Sequence, residues 1–341
     1  MSEAGLRVVA FGGGTGLPML LGGLRDRDGG NLTAVVSVAD DGGSSGRLRQ
    51  ELGIAPPGDV RRCLVALAER RRLAEVFEYR FESGAELHDH SVGNLIIAAL
   101  ADMSGGFSEG VERAGRFLRI KGVVLPAATE SLTLVVHHTD GSVTRGESTS
   151  REHSGSVARV AVEPATAAAP PGVTAAIERA DVVVLSPGSL YTSTIPSLLG
   201  GGVAEALAAF SGPVVYAANL MTQPGETLGF SLSDHLQAIR DHVGPVVTDV
   251  LVHSVAVPES VTAAYRDDGA GPVALDRDEI ERMGIRVHGA PLLDATVSPT
   301  ALHDPDRLAG MLRELAQAAT TRGQVFLCRT EIQCGKERLD P

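Results

Sequence analysis

Short apolar runs alternate along the chain with longer segments in which apolar residues recur at helical spacing. Strands that are buried on both faces of a parallel sheet appear in a sequence as such uninterrupted apolar runs. The alternation therefore predicts an α/β fold, with helices on both faces of a mostly parallel sheet. The predicted strands are 6–11, 32–38, 182–185, 214–217, 246–252 and 325–328. The predicted helices are 17–24, 59–79, 94–103 and 111–120.

The segment 123–164 has a different pattern. Residues 132–137 and 142–147 read as strands that flank Asp140-Gly141, a dipeptide typical of hairpin turns. We therefore expect an antiparallel excursion here, after which the strand–helix alternation returns.

Length and pattern together predict the domain organisation. The chain has 341 residues, of which 43% are hydrophobic, which is ample for a buried core. We find no internal repeat and no low-complexity linker. We expect one domain over residues 1–330 with a helical and antiparallel insertion around 60–165, and a frayed polar tail over 331–341.

Charge and cysteine content exclude several classes of protein. The net charge is −12, which repels the phosphates of nucleic acids and the headgroups of anionic lipids. The three cysteines, Cys63, Cys328 and Cys334, have neither zinc-site spacing nor the pattern of a disulfide framework. No apolar run reaches the roughly 18 residues of a membrane span, and no signal peptide is evident. We expect a cytoplasmic protein without membrane insertion and without nucleic acid as a partner.

A glycine-rich loop, 12–16, lies between the first predicted strand and the first predicted helix. The helix N-terminus offers free amides to an anion, and glycines let the backbone approach phosphate oxygens closely. The loop is not a dinucleotide fingerprint, because Met19 stands where the third glycine would be, and it is not a P-loop. A phosphate site and a simple tight turn remain the two interpretations. The residues concerned are Gly12, Gly13, Gly14, Thr15 and Gly16.

The second loop places Asp40 and Asp41 at the end of a predicted strand. Adjacent carboxylates can hold Mg²⁺, or one of them can bond a ribose hydroxyl. The structural alternative is an Asx-turn at Asp40. The residues that follow offer amides, hydroxyls and a planar guanidinium, all of which suit a phosphate. They are Gly42, Gly43, Ser44, Ser45 and Arg47.

Two more segments carry candidate groups. Asp59 is expected to cap a helix. Arg61 then stands in the first helical turn against the dipole, a conflict that a nearby anion would remove, although an exposed arginine can also tolerate it. His88 and His90 lack a third metal ligand nearby in the sequence, so we interpret them as loop residues. Asn94 opens an apolar helix, where it either caps the helix or faces a ligand.

Two later polar loops also follow predicted strands. Loop 186–193 gathers hydroxyl and amide groups that suit phosphate or sugar hydroxyls, with an ordinary helix N-terminus as the structural alternative. Loop 219–227 is similar in position and polarity. Ligands of parallel α/β sheets bind beyond the carboxyl ends of the strands, where all these loops are expected. The candidates here are Ser186, Gly188, Ser189, Tyr191, Thr192, Asn219 and Thr222.

At these loops the chain resembles the gluconeogenesis factor family (YvcK-like proteins), within the 2-phospho-L-lactate transferase (CofD-like) superfamily. The resemblance implies a Rossmann-like three-layer α/β/α fold and a homodimer. It also implies binding of UDP-sugars, notably UDP-N-acetylglucosamine, and a role in cell shape and cell-wall synthesis during gluconeogenic growth. The transferase relatives move a phospholactyl group from a guanosine diphosphate donor to a deazaflavin with Mg²⁺. The matching stretches are 12–17, 38–49, 56–61, 79–81, 90–95, 187–193 and 219–227.

Carried over residue by residue, the resemblance assigns phosphate binding to loops 12–16 and 186–192. It implies that Asp40 or Asp41 holds any metal ion, and that Tyr265 stacks on or bonds the nucleotide. One position departs from the family pattern, because Leu302 stands where many relatives have an arginine.

Three functions remain open at this point. The first is a non-catalytic sensor of a nucleotide-sugar, whose bound state is read by an unidentified protein partner. The second is a Mg²⁺-dependent transferase that uses Asp40 and Asp41, although the loops contain no evident general base. The third is an NAD-dependent dehydrogenase, which the missing glycine of the fingerprint disfavours.

Overall fold

The computed structural model describes residues 5–334, apart from residues 85, 154, 295 and 297–299. The strands are β1 (Val8–Gly12), β2 (Leu32–Val36), β3 (Val123–Pro126), β4 (Thr133–His138), β5 (Val143–Arg145), β6 (Val157–Glu163), β7 (Val182–Leu185), β8 (Val214–Ala217), β9 (Asp249–His253) and β10 (Arg286–Ala290). The α-helices are α1 (Gly16–Asp28), α2 (Gly43–Leu52), α3 (Gly58–Leu67), α4 (Arg71–Glu78), α5 (Val92–Ser104), α6 (Phe107–Leu118), α7 (Glu147–Glu152), α8 (Pro171–Arg179), α9 (Val203–Ala209), α10 (Leu232–Val243), α11 (Glu259–Arg266), α12 (Arg277–Arg282) and α13 (Pro305–Cys334).

The main sheet among these strands is parallel and has the order β10-β9-β8-β7-β1-β2-β3. Its central strands β1 and β7 are buried along their whole length, as strands covered on both faces must be. The predicted α/β fold with a mostly parallel sheet is confirmed. The chain leaves β1 toward β2 on one side, while β7 adds on the other side. The exits of β1 and β7 therefore form the topological switch point, where such folds bind ligands.

The predicted hairpin is confirmed, because β4 pairs antiparallel with β5 across the turn at Asp140 and Gly141. Strand β6 adds to the other edge of β4 and completes a small antiparallel sheet. The antiparallel segment begins later in the chain than we expected, however. Strand β3 pairs in parallel with β2, so residues 123–126 belong to the main sheet.

Two other expectations were wrong. The single helix over 59–79 is two helices, α3 and α4, because the backbone is extended at Ala68 and the amides of Glu69 and Arg70 donate to carbonyls of 119 and 118. The late strand at 325–328 lies inside α13, since a four-residue apolar run is equally compatible with a helix. Of the tail predicted over 331–341, residues 331–334 continue this helix and 335–341 lie outside the described residues.

Helix α1 packs against the centre of the main sheet. Its Leu17, Leu20, Leu21 and Leu24 are all fully buried, which is the spacing of one helix face. Within the described part of the chain, none of the helices combines the length and apolarity that a bilayer crossing requires.

Helix α1 also contacts the start of α13, and two adjacent glycines of α1 differ there. A Cβ atom on Gly23 would lie 2.2 Å from the carbonyl oxygen of Pro305, whereas no described atom lies within 4 Å of a Cβ atom on Gly22. The close helix–helix approach therefore depends on Gly23 and not on Gly22.

We predict that Gly23→Ala lowers the free energy of unfolding by about 1–3 kcal/mol, because the backbone of α13 must move away. Gly22→Ala is the matched control and should raise it by up to about 1 kcal/mol through helix propensity. Urea unfolding of both variants measures the difference. Equal stability of the two variants would contradict the packing described here.

Candidate functional site

The loops that follow β1 and β7 meet at the switch point with almost no space between them. A Cβ atom on Gly12 would lie 2.1 Å from Ser186 Oγ, and one on Gly16 would lie 1.7 Å from the carbonyl oxygen of Pro187. Only glycine allows the two backbones to approach this closely. Ser186 is fully buried, and its hydroxyl has no hydrogen-bond partner among the described residues. A buried hydroxyl without a partner needs an explanation, such as a ligand that binds there.

Asp59 joins the glycine loop to the next part of the site. It does not cap α3 as we expected, because the capping position belongs to Pro57 and Asp59 lies in the first turn. The Gly14 amide instead donates to Asp59 Oδ2 at 2.6 Å. Arg62 pairs with the other carboxylate oxygen at 2.9 Å. The Gly14 amide, one of those that the sequence analysis assigned to a phosphate, is therefore already hydrogen-bonded to the Asp59 carboxylate.

The loop after β7 continues into a single π-helical turn, Leu190–Thr194. π-Turns of this kind occur frequently at functional sites. The Tyr191 amide donates to Glu226 Oε2 at 3.2 Å, and the Thr192 hydroxyl donates to Glu226 Oε1 at 3.3 Å. Burial, followed by the nearby charges of Asp241 and Glu226, raises the pKa of Tyr191 to about 12. These contacts give Tyr191 and Thr192 a structural role in this loop.

Asn219, which follows β8, holds the same loop from the other side. Its side chain accepts from the Gly188 amide at 2.8 Å and donates to the Gly188 carbonyl at 2.7 Å. Gln223 donates to Ser189 Oγ at 3.1 Å. Its amide oxygen is buried and has no partner in the described part of the chain.

A cavity of about 240 Å³ opens beside these loops. The Tyr265 hydroxyl accepts from the Ala301 amide at 2.9 Å, which fixes the ring at the cavity wall. Leu302, the departure from the family pattern, also lies on this wall. The predicted site residues that line the cavity are Thr15, Gly16, Gly188, Asn219, Thr222 and Tyr265.

The two carboxylates after β2 face different partners. Asp40 Oδ1 accepts from the Gly42 amide at 2.9 Å, which is the Asx-turn we considered. Burial raises the pKa of Asp40, and so does the nearby charge of Asp59. Asp41 instead accepts from the amide and the hydroxyl of Ser148 at 2.8 Å each. The pair therefore does not point at one shared ion.

Helix α2 begins with Gly42 at its capping position and Gly43 in the left-handed region, with a φ of +49°. Ser44, in the first turn, is buried and accepts from the Asn94 side chain at 3.0 Å, and it also bonds His90 Nδ1 at 3.0 Å. Asn94 does not cap α5, since Ser91 does. Its amide oxygen is buried without a partner among the described residues.

Ser45 lies next to this cluster, close to Asp40. A Cβ atom on Gly58 would lie 2.4 Å from Ser45 Oγ and 3.4 Å from Asp40 Oδ2. The loop after β2 and the start of α3 are therefore in direct contact, and Asp59 extends that contact to the glycine loop. Among the described residues, no three His, Cys, Asp or Glu side chains group closely enough to hold a metal ion.

Arg61 is the buried cation of this region, with 5% of its surface exposed. One guanidinium nitrogen donates to the Phe77 carbonyl at 3.3 Å, and Nε has no partner in the part of the chain that is described. Burial, and then the charge of Arg80, lowers the pKa of Arg61 to about 10. Burying a charge without an ion pair is costly. Arg47 is less buried and donates to the His88 carbonyl.

The structure thus brings the six predicted loops to one edge of the sheet, in two connected halves. The first half is the cavity beside β1, β7 and β8, and the second is the cluster around Ser44, Asn94 and Arg61. The sequence missed the cavity residues Met19, Gln223 and His303. Thr300, Ala301 and His303 were missed because strand β10, which precedes them, was not predicted.

Fold and site define an open parallel α/β protein whose candidate binding site lies at the switch point of the sheet. Residues 8–293 match the family described as 2-phospho-L-lactate transferase CofD. The gluconeogenesis factor of Halalkalibacterium halodurans is 45% identical over 280 residues, 82% of this chain and 87% of that protein. The gluconeogenesis factor of Bacillus subtilis is 40% identical over 91% of this chain and 98% of that protein.

Solved structures agree with this relationship. A crystal structure of a Bacillus halodurans protein superposes with a TM-score of 0.88 at 41% identity, covering 90% of this chain and 99% of that one. The chain therefore belongs to the gluconeogenesis factor family, within the CofD-like superfamily.

Two buried histidines make the stability of this region depend on pH. Burial lowers the pKa of His303, on the cavity wall, and of His235, beneath β8, from 6.5 to about 4 in each case. The unfolded chain therefore binds more protons than the folded protein between these pH values. The stabilisation that comes from keeping these two histidines neutral is complete above pH 6.5 and is lost as the pH falls toward 4.

We predict that the free energy of unfolding falls by up to about 1.4 kcal/mol per pH unit for each histidine in this window. His235→Asn retains an acceptor near the Nδ1 atom that bonds Tyr216 at 3.0 Å, but removes one titration. Urea unfolding from pH 7.5 to 4.5 should show a shallower pH dependence for this variant. Identical slopes would contradict the assignment.

Proposed function

We propose that the protein binds a nucleotide-diphosphate sugar of the UDP-N-acetylglucosamine type. The observation that carries the proposal is the convergence of two glycine-dependent loops at the switch point, with a cavity beside them. Free amides at the start of a helix and a buried hydroxyl without a partner are groups that bind phosphate oxygens. Helix α1 starts at Gly16, directly after the glycine loop, and Ser186 carries the buried hydroxyl.

The charges support an anion in the same place. Arg61 is a buried cation whose described partner is a neutral carbonyl, and a phosphate within its reach would supply the missing negative charge. Asp59 now accepts from the Gly14 amide. A diphosphate that binds this loop must either displace the Asp59 carboxylate or approach it through a cation.

We favour a regulatory role of this site over a catalytic one. The loops around the cavity are already braced by side chains such as Asn219 and Glu226, so the candidate site is largely preformed. The close relatives are named gluconeogenesis factors, and we propose the corresponding role in cell shape and cell-wall synthesis. A protein partner that reads the bound state, and a homodimer, belong to this proposal.

A transferase that uses Mg²⁺ is the second candidate, and one observation favours it. Burial raises the pKa of Asp40, and the nearby carboxylate of Asp59 raises it further, so two acidic groups lie near each other beside the glycine loop. A Mg²⁺ ion would take oxygen ligands from Asp40 and Asp59 and would neutralise phosphate charge. Asp41 would not contribute, because it is bonded to Ser148. Turnover of a guanosine diphosphate donor with a deazaflavin acceptor would favour this function over the regulatory one.

We predict roughly micromolar binding of UDP-N-acetylglucosamine, about −8 kcal/mol, measured by calorimetry with and without Mg²⁺. Asn219→Asp should weaken binding at least about tenfold, because it places a negative charge beside the proposed diphosphate and removes the donor to the Gly188 carbonyl.

Asn31→Asp is the matched control. Asn31 also donates to a backbone carbonyl, that of Gly5, at 2.6 Å on an exposed surface, and the change adds the same charge. It should leave the affinity unchanged. The proposal is wrong if millimolar ligand gives neither heat nor a thermal shift, or if both aspartate variants behave alike.

A further inference from the structure

A second cavity of about 330 Å³ lies beside the first along the carboxyl edge of the sheet, and we call it the edge groove. Its lining is apolar apart from Asn219 and His253. At its rim, Val255 and Leu275 are 56% and 43% exposed. Large apolar side chains that are exposed together, beside a concave surface, are typical of a site that contacts a partner.

The two polar side chains of the edge groove are already engaged with other groups. The Asn219 side chain accepts from the Gly188 amide at 2.8 Å and donates to the Gly188 carbonyl at 2.7 Å. His253 Nδ1 accepts from the amides of Leu292 at 2.9 Å and Leu293 at 3.2 Å. The proton of the neutral ring therefore lies on Nε2, which is buried and does not face the groove. A sugar or phosphate in the groove would find few partners, whereas an apolar side chain needs none.

The polypeptide that frames the edge groove is acidic. Residues 255–282 contain seven acidic and three basic residues, so they supply four units of the net charge of −12. The three basic residues pair within the segment, Arg266 with Glu259, Arg277 with Glu281 and Arg282 with Glu279. The acidic residues of the segment that take part in none of the ion pairs among the described residues are Asp267, Asp268, Asp276 and Asp278.

Leu275 joins the edge groove to this acidic surface. It lies on the wall of the groove and also on the wall of a shallow depression of about 720 Å³. The depression contains Asp234, Asp276 and Asp278. An apolar pocket thus adjoins a negatively charged hollow, with one leucine between them. This arrangement is complementary to a polypeptide segment that carries a large apolar side chain close to lysine or arginine.

The edge groove also shares a wall with the cavity of the proposed ligand. Asn219 and Leu220 line both cavities. Val257 of the groove and Tyr265 of the first cavity both pack against the small apolar cluster that contains Leu220. A ligand that fixes Asn219 or Tyr265 would therefore also fix the wall of the groove. An occupant of the groove and the ligand would then change each other's affinity by the same factor.

Resting on the proposed function, we propose that the edge groove is the docking surface for the protein partner that reads the bound state. The partner inserts a large apolar side chain that belongs to a basic segment. The acidic rim argues against a second copy of this chain as the occupant, because two such rims would repel each other. The exposed carboxylates act mainly on the rate of association and its salt dependence, and the apolar side chain supplies the burial.

The experiment uses two short amidated peptides with the same central leucine, one flanked by lysines and the other by glutamates. Each is titrated by fluorescence anisotropy against the full chain saturated with UDP-N-acetylglucosamine. The basic peptide should bind at least roughly tenfold more tightly at low salt, and the difference should shrink at about 1 M salt, where exposed charges are screened. Omission of UDP-N-acetylglucosamine should weaken the basic peptide by roughly fivefold or more.

Two variants, each with a matched control, test the location. Leu275→Gln should weaken the basic peptide roughly tenfold, because it removes the apolar side chain at the centre of the surface. Leu87→Gln, at a leucine of similar exposure outside the groove (44%), should leave binding unchanged. Asp278→Asn should weaken the basic peptide and not the acidic one. Asp102→Asn, at an exposed carboxylate on α5, should affect neither.

The outcomes separate the inference from the proposed function. Failure of the basic peptide to bind, equal binding of the two peptides, or unchanged affinity in Leu275→Gln would overturn the inference alone. So would a peptide affinity that ignores UDP-N-acetylglucosamine although the protein binds it. Conversion of a dimer to a monomer by Leu275→Gln, seen in gel filtration, would assign the groove to a second copy and would also overturn it. Absence of nucleotide-sugar binding by the native protein would overturn the proposed function, and the reading role with it.

Discussion

The close approach of two backbones at the switch point is the constraint on which the candidate site depends. Gly12 and Gly16 lie so near the loop after β7 that a side chain on either would overlap Ser186 or Pro187. The approach places the start of helix α1, the hydroxyl of Ser186 and the cavity wall at Gly188 in one small volume. Larger residues at positions 12 and 16 would push apart the loops that follow β1 and β7 and would change the shape of the cavity beside them. The glycines at positions 12 and 16 are thus required by packing.

The site also contains buried polar groups that a protein selected for stability alone would not retain. Ser186, Asn94 and Arg61 each have a buried polar atom without a described partner, and each such atom costs on the order of 1–3 kcal/mol. These three lie on the same edge of the sheet, whereas His138 in β4 and His235 on α10 have such atoms elsewhere. Asp59 connects them, because it contacts the glycine loop and belongs to the same helical turn as Arg61. A ligand at this edge would supply partners for these atoms, which is consistent with the proposed binding site.

Much of the fold could be predicted because buried parallel strands leave a clear signal. Strands β1, β7 and β8 are uninterrupted apolar runs, and β2 is interrupted only by Thr33. All four precede polar loops, so the strands and the candidate loops were found together. Strand β10 is a partly exposed edge strand with the sequence Arg-Val-His-Gly-Ala, and it has no apolar run to detect. The protonation state of the His253 ring could not be predicted from the sequence, for another reason. The position of its proton depends on backbone amides about forty residues away in the sequence, and only the folded structure brings these groups together.

The overall charge of the chain and the chemistry of the site point in opposite directions, and the geometry explains why both can hold. A net charge of −12 repels anions at long range, yet the proposed ligand would contact amides, hydroxyls and one buried guanidinium, which act at short distance. Neutral dipoles discriminate by shape and position rather than by total charge. Such a site would disfavour polyanions, whose binding relies on an extended basic surface, and would still admit the proposed small diphosphate. In the proposed function, selectivity for a compact anionic ligand would follow from burial of the site within an acidic protein.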